Sequence, residues 1–231
     1  TTFTSSAFVN VTEFMQALGY GAQDNYNRYC YEEASPVANL FLGLKYMLER
    51  DGYVEENSYF DEVQRFGKVA LLENNAYLPL GFLANSELGS LKFTVAPNRF
   101  YFQNDLVEAA TGIADVWSSL PNGKLQITAS DGITLSNISG SGSCRYTASS
   151  QGTVTFSYFP DQEGFFCVDI EQSKRNSFSI RKNGQFLYND SYSLPQMASV
   201  SDVAPGDRIE IAFTCKAGES GTISVKNGLL D

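Results

Sequence analysis

From Lys124 onward the chain is a series of short segments in which apolar and polar residues alternate, separated by turn signals, and this period of two limits the fold more than any other feature. "LQITASDGITLS" reads as a hairpin, with Leu125, Ile127 and Ala129 on one arm, Ile133 and Leu135 on the other, and Asp131-Gly132 at the turn. After the flexible "SGSGS" at 139–143 come "TVTFSYF", "GFFCVDI", "SFSIRKNGQFLY" with a second turn at Asn183-Gly184, "DRIEIAFTC" and "TISV". So many short strands predict an antiparallel β-sandwich of the jelly-roll or Ig-like kind.

The first half mixes helix and strand, so the whole chain reads as α+β. Asn10 with Glu13 three residues on predicts a capping box that opens a short helix ending at Gly19. Ser35-Pro36 predicts a second helix stopped by Gly43 and followed by a strand "KYML". A third helix is expected in "NRFYFQNDLVEAATG", with Asn98 as cap, Phe102, Leu106 and Ala110 on one face and Gly112 beyond its end. Further strands are expected at 66–72, 78–84 and 91–96. The change of period falls at Pro121-Asn122-Gly123, which divides the chain into a mixed α/β domain, 1–120, and a sandwich domain, 121–231.

A total of 16 Lys and Arg against 26 Asp and Glu gives a net charge of -10, which repels nucleic acid and anionic lipid surfaces. With 17 Phe and 13 Tyr there is ample material for packed cores. No apolar run reaches the ~18 residues of a membrane span. The opening "TTFTSS" has no Met, which suggests an excised piece or a processed mature form.

There is no histidine, so the commonest general base, the Ser-His-Asp triad and imidazole metal ligation are excluded together. No GxSxG, GxGxxG or P-loop implies a cofactor. Carboxylate chemistry is the remaining enzymatic option, yet the acidic run "ERDGYVEENSYFDE" at 49–62 reads as a solvated loop without the rigid pair a glycosidase needs. Tyr26, Tyr29 and Tyr31 could stack on sugars, but packing at the edge of a core is the simpler reading, and Trp117 is expected in the seam between the halves. Cys30, Cys144, Cys167 and Cys215 match no zinc spacing; a Cys167–Cys215 bridge is conceivable outside the cell, and small buried hydrophobes are the simpler reading.

Taken in order, "TFTSSAFVNVTEFMQALGY", "SPVANLFLGLKYML", "GKVALLENNAYLPLGFLANSEL" and "NDLVEAATG" resemble the extracytoplasmic region of the YfhO family of bacterial membrane proteins. A family element "LLGVKY" is matched by Leu42 to Tyr46, with Leu44 in place of Val, and "YEN-x-ALPLGF" by Leu72-Glu73-Asn74 and Leu78 to Phe82, with Leu72 in place of Tyr. Further on, "FSIRKNGQFLYNDSYSLPQMASVSDVAPGDRIEIAF" is similar to the family's sandwich, with its "NG" hairpin and "GD" turn. The resemblance implies a part of a polytopic GT-C type glycosyltransferase that moves a sugar from a polyprenyl-phosphate carrier onto an envelope polymer such as teichoic acid. It places this chain on the extracytoplasmic face of the membrane, with the glycopolymer or the parent's transmembrane part as partner. The family's catalytic acids are expected in the transmembrane half, so no catalytic residue is transferred here. A free-standing carbohydrate-binding or adhesive surface module is the alternative.

Within "LLENNAYLPLGFL", residues 71–83, two readings stay open. Leu71 and Leu72 end a strand, Glu73 to Ala76 form a polar turn, and Leu78 to Phe82 return as a strand with Pro79 at its edge, the whole serving only the core. Alternatively, Lys45, Tyr46, Glu73 and Asn74 line a groove for the acceptor polymer.

Overall fold

The computed structural model describes residues 8–23, 28–31, 35–50, 57–92, 98–120, 124–190 and 194–230. The expected domain boundary, Tyr26 and residues 51–56 of the acidic run lie outside them.

Helix α1, Val9–Ala17, starts earlier than its sequence suggests. Phe8, extended, is the N-cap and its carbonyl accepts from the N–H groups of Val11 and Thr12, so Asn10 falls inside the first turn and caps nothing. Strands β1, Gly21–Gln23, and β2, Arg28–Cys30, form a small ribbon beside it. Helix α2, Pro36–Phe41, has the expected start: Pro36 opens the helix and the Ser35 hydroxyl accepts from the Ala38 N–H at 3.2 Å. Strands β3, Tyr46–Glu49, β4, Phe60–Phe66, and β5, Val69–Asn74, make an antiparallel sheet in the order β3-β5-β4. The end of the acidic run is therefore strand rather than loop, with Phe60 buried. Residues 78–84 form no strand, and a single 3-10 turn follows at Ser86–Ser90. Helix α3, Arg99–Thr111, is capped by Asn98, whose side chain accepts from the Phe100 N–H at 3.1 Å, and ends at Gly112 in the left-handed conformation.

Strand β6, Trp117–Ser118, leads into the sandwich, which holds β7, Leu125–Ala129; β8, Ile133–Ser139; β9, Ser143–Ala148; β10, Gly152–Tyr158; β11, Gly164–Gln172; β12, Phe178–Lys182; β13, Gln185–Asp190; β14, Gln196–Val203; β15, Ile209–Cys215; and β16, Ser220–Leu230. One antiparallel sheet runs β13-β12-β15-β10-β7 and the other β14-β11-β16-β9-β8, with β6 also on β16. The fold is thus mostly antiparallel sheet with a small helical part. Alternation on β15 sends Ile209, Ile211, Phe213 and Cys215 inward, where they meet Phe156, Phe166, Ile170 and Val225.

The expected hairpin at Asp131-Gly132 does not form. β7 pairs with β10 and β8 with β9, so the turn carries the chain from one sheet to the other. Alternation cannot separate the two cases, because in both the inward residues of each arm face one core; Ile127, Ile133 and Leu135 all pack against it. At Asn183-Gly184 the hairpin is real, with φ of 51° and 82° as the tight two-residue turn requires. That turn is tied to the "GD" turn: the Asn183 amide donates to Asp207 at 2.7 Å and accepts from the Arg208 N–H at 2.8 Å.

Strand β11 is buried on both faces, which explains its unbroken apolar run "GFFCVDI". Phe166, Val168 and Ile170 face the sandwich core, while Phe165 and Cys167 face Val37, Phe100, Trp117 and Met197. The first half is therefore docked on the outside of one sheet, and Trp117 lies in that seam as expected. Polar groups fasten it. Buried Arg99 pairs with buried Asp169 on β11, and its Nε donates to the Gln16 carbonyl at 2.9 Å. The Trp117 indole donates to Gln103 at 2.8 Å, and the Gln103 amide donates to the Leu18 carbonyl at 2.7 Å. Gly228 has no side chain for a packing reason: a Cβ there would meet the Phe100 ring at 2.3 Å.

All four cysteines are buried, and Cys144, Cys167 and Cys215 are free thiols. Cys215 lies in the sandwich core and Cys167 in the seam, with no bridge between them. Tyr29 and Tyr31 meet Tyr20 edge-on at 6.3 and 5.7 Å, packing with the first half's core rather than presenting open faces.

Candidate functional site

The four residues singled out in the sequence come together, though not in one role. Gly43, at φ 62°, turns the chain after α2 and could not carry a Cβ, which would meet the Leu78 carbonyl at 2.9 Å. Lys45 follows and leads into β3, where Tyr46 pairs with Glu73 of β5.

Asn74 is the organiser. It is 2% exposed, its amide donates to the Leu44 carbonyl at 2.9 Å, and its Oδ1 accepts from the Ala76 N–H at 2.9 Å. The Asn74 N–H donates to the Lys45 carbonyl at 2.7 Å. An asparagine can close an Asx turn and satisfy a buried carbonyl at once, which is why the polar elbow sits between two apolar arms. The Asn74 side chain is thus spent on the turn and on the Leu44 carbonyl. Its neighbour Asn75 donates from its side chain to Asp61 at 3.0 Å.

The other three face water and share a partner that the sequence reading missed, Tyr77. Lys45 Nζ lies 3.4 Å from a Glu73 carboxylate oxygen, 5.0 Å from the centre of the Tyr46 ring and 5.2 Å from that of Tyr77. The lysine is held above its ordinary pKa by hydrogen bonding toward Tyr46 and then toward Glu73. Tyr46 is 53% and Tyr77 39% exposed. The signal for Tyr77 was an aromatic beside a turn, adjacent to a strand that already carried a lysine and a tyrosine.

The loop beyond Tyr77 is anchored at both ends, by the Leu78 N–H donating to Leu40 at 3.2 Å and the Asn85 N–H donating to Ala110 at 2.9 Å. Phe82 leans on Phe41 with ring centres 6.0 Å apart. The expected return strand fails here because the Leu78 N–H is used on the end of α2 and Pro79 has none to give.

Chemically, two aromatic faces with their hydroxyls, one cation and one carboxylate can stack on and hydrogen-bond a polyhydroxyl ligand. Among the described residues no group of three or more His, Cys, Asp or Glu is placed to hold a metal ion.

The family described as "Bacterial membrane protein YfhO" matches residues 1–226. The chain belongs to the YfhO family, a family of bacterial membrane proteins. No curated protein matches it. Among solved structures it is similar to a family 35 carbohydrate binding module from Clostridium thermocellum, at 11% identity over 50% of this chain and 98% of that one, with a TM-score of 0.32. It is similar also to TmCBM61 in complex with β-1,4-galactotriose, at 10% identity over 45% and 86%, TM-score 0.30. A family 29 carbohydrate binding module shows 20% identity over 50% and 84%, also with a TM-score of 0.30. No helix among the described residues is long and apolar enough to cross a membrane.

Proposed function

We propose that this chain is an accessory region on the extracytoplasmic face of a membrane glycosyltransferase, which holds a teichoic-acid-like envelope polymer while the parent's transmembrane part transfers the sugar. No catalytic residue is assigned to it. The observation that carries the reading is the cluster in which Lys45 stands between the rings of Tyr46 and Tyr77, with Glu73 beside it. Tyrosine supplies flat apolar area for a sugar face at small entropic cost, and a lysine alongside attracts a polymer phosphate. Membership of a membrane-protein family supports this reading over a free-standing adhesive module.

Calorimetric titration of a teichoic-acid-like polymer into the wild type and the Tyr46→Ala/Tyr77→Ala double variant tests it. Saturable binding that weakens at least about tenfold in the variant, with an unchanged melting temperature, is expected. Failure of the wild type to bind, or equal binding by both proteins, overturns it.

A further inference from the structure

Residues 74–86 contain no charged side chain, in a chain whose net charge is -10. At the centre of this segment Leu80 and Leu83 are 107% and 103% exposed, so the core uses neither of them. The loop that carries them is pinned at Leu78, Phe82 and Asn85, so its two leucines are presented by a fixed support. Leu48 of β3 and Phe66 of β4 stand exposed on the neighbouring sheet. Large aliphatic side chains held in water by a supported loop mark a surface that something else covers.

We propose that the 78–84 loop inserts into the interfacial layer of a lipid bilayer, with Leu80 and Leu83 reaching the acyl boundary and Tyr46, Tyr77 and Lys45 at headgroup level. Charge matching selects the bilayer. The loop is neutral, as hydrocarbon requires, and the Lys45–Glu73 ion pair at its root carries one charge of each sign, as a zwitterionic phosphatidylcholine headgroup does. The negative net charge makes an anionic leaflet repel the molecule as a whole, so contact depends on apolar insertion rather than on surface attraction. Tyrosines at the rim fit the headgroup zone, where an apolar ring and a polar hydroxyl are both satisfied. The inference rests on the reading of the chain as part of a membrane-bound protein, and it gives that part an orientation: the Lys45–Tyr77 cluster faces the membrane surface, where lipid-linked substrates are presented.

The test holds the 231-residue chain at vesicles of phosphatidylcholine through a C-terminal polyhistidine tag and a nickel-chelating lipid, so that insertion rather than affinity is measured. Trp117 is buried and serves as the internal reference. The Leu80→Trp protein should show an added, blue-shifted emission that brominated phosphatidylcholine quenches at least about twofold, while wild-type emission is unaffected. Without the tag, the wild type should float with phosphatidylcholine vesicles, and Leu80→Asp/Leu83→Asp should lose at least about tenfold of that binding while keeping its melting temperature and its polymer binding. An unquenched Leu80→Trp protein, as expected if the loop instead docks on a protein segment, overturns the proposal, as does vesicle binding that the double aspartate variant retains. Polymer binding is read separately, so failure here and failure of the polymer reading are distinguishable.

Discussion

Between residues 124 and 230 large hydrophobic side chains are drawn inward and Ile138 stands exposed by itself, whereas residues 8–120 leave thirteen of them, from Phe8 to Ile113, in water, among those described. The contrast has a structural cause. In the sandwich each sheet covers the inner face of the other, so alternation buries nearly all of the large apolar residues. Among the described residues no second sheet covers the β3-β5-β4 sheet: Ala70, Leu72 and Asn74 face inward, and Tyr46 and Leu48 are left on the open side. The sandwich is thus the platform, fastened through β11, and the proposed polymer and lipid contacts both fall on the docked half.

The largest effect should come from cutting the fastening. Asp169→Ala leaves the buried Arg99 guanidinium without its main partner and should cost about 3 to 5 kcal/mol, read as a fall in the urea midpoint. A loss below about 1 kcal/mol would mean that the halves are not joined through this pair. Gly228→Ala pushes a methyl group into the Phe100 ring and should cost about 2 kcal/mol; a neutral result would show that the seam is loosely packed.

On the open side the expected effects are smaller. Asn74→Ala strands the Leu44 carbonyl and should cost about 1.5 kcal/mol, weakening polymer binding only as far as the elbow loosens. If affinity falls with stability unchanged, Asn74 belongs to the ligand face after all.

Alkali should act on the closed half. Burial pushes the Cys144 and Cys215 thiols up to about 11 and Cys167 up to about 12, from an ordinary 9.0. A raised folded-state pKa leaves its contribution intact below pH 9.0 and removes it as the pH rises through the folded values. The urea midpoint should therefore decline from about pH 9 to 12, with thiol reagents at pH 8 reacting only after unfolding. Rapid labelling of the native protein would contradict the closed core.

Much of the fold was legible in the sequence. Ser35-Pro36, Asn98 with Gly112, and Asn183-Gly184 each have a local physical signature that tertiary context left in force. The errors are those that locality cannot resolve. Asp131-Gly132 has the chemistry of a hairpin turn, yet which sheet takes the second arm is decided by packing at a distance. Asn10 and Glu13 matched a capping box, but the helix starts from Phe8, whose carbonyl takes the Val11 and Thr12 N–H groups, so Asn10 is already inside the first turn. The alternation in "LPLGFL" resembles strand because exposed leucines and buried leucines read alike. At the candidate site, Lys45, Tyr46 and Glu73 were found through the family elements that carry them, Asn74 proved to be their support, and Tyr77 was missed because its ring is brought to Lys45 by a turn rather than by a strand register.

Amide chemical shifts recorded while a teichoic-acid-like polymer is titrated into the labelled protein test the central contrast most directly. The account predicts saturable shifts grouped at residues 44–48 and 71–77, with strands of the sandwich core unmoved. Shifts confined to residues 124–230, with Lys45, Tyr46 and Tyr77 silent, would contradict it.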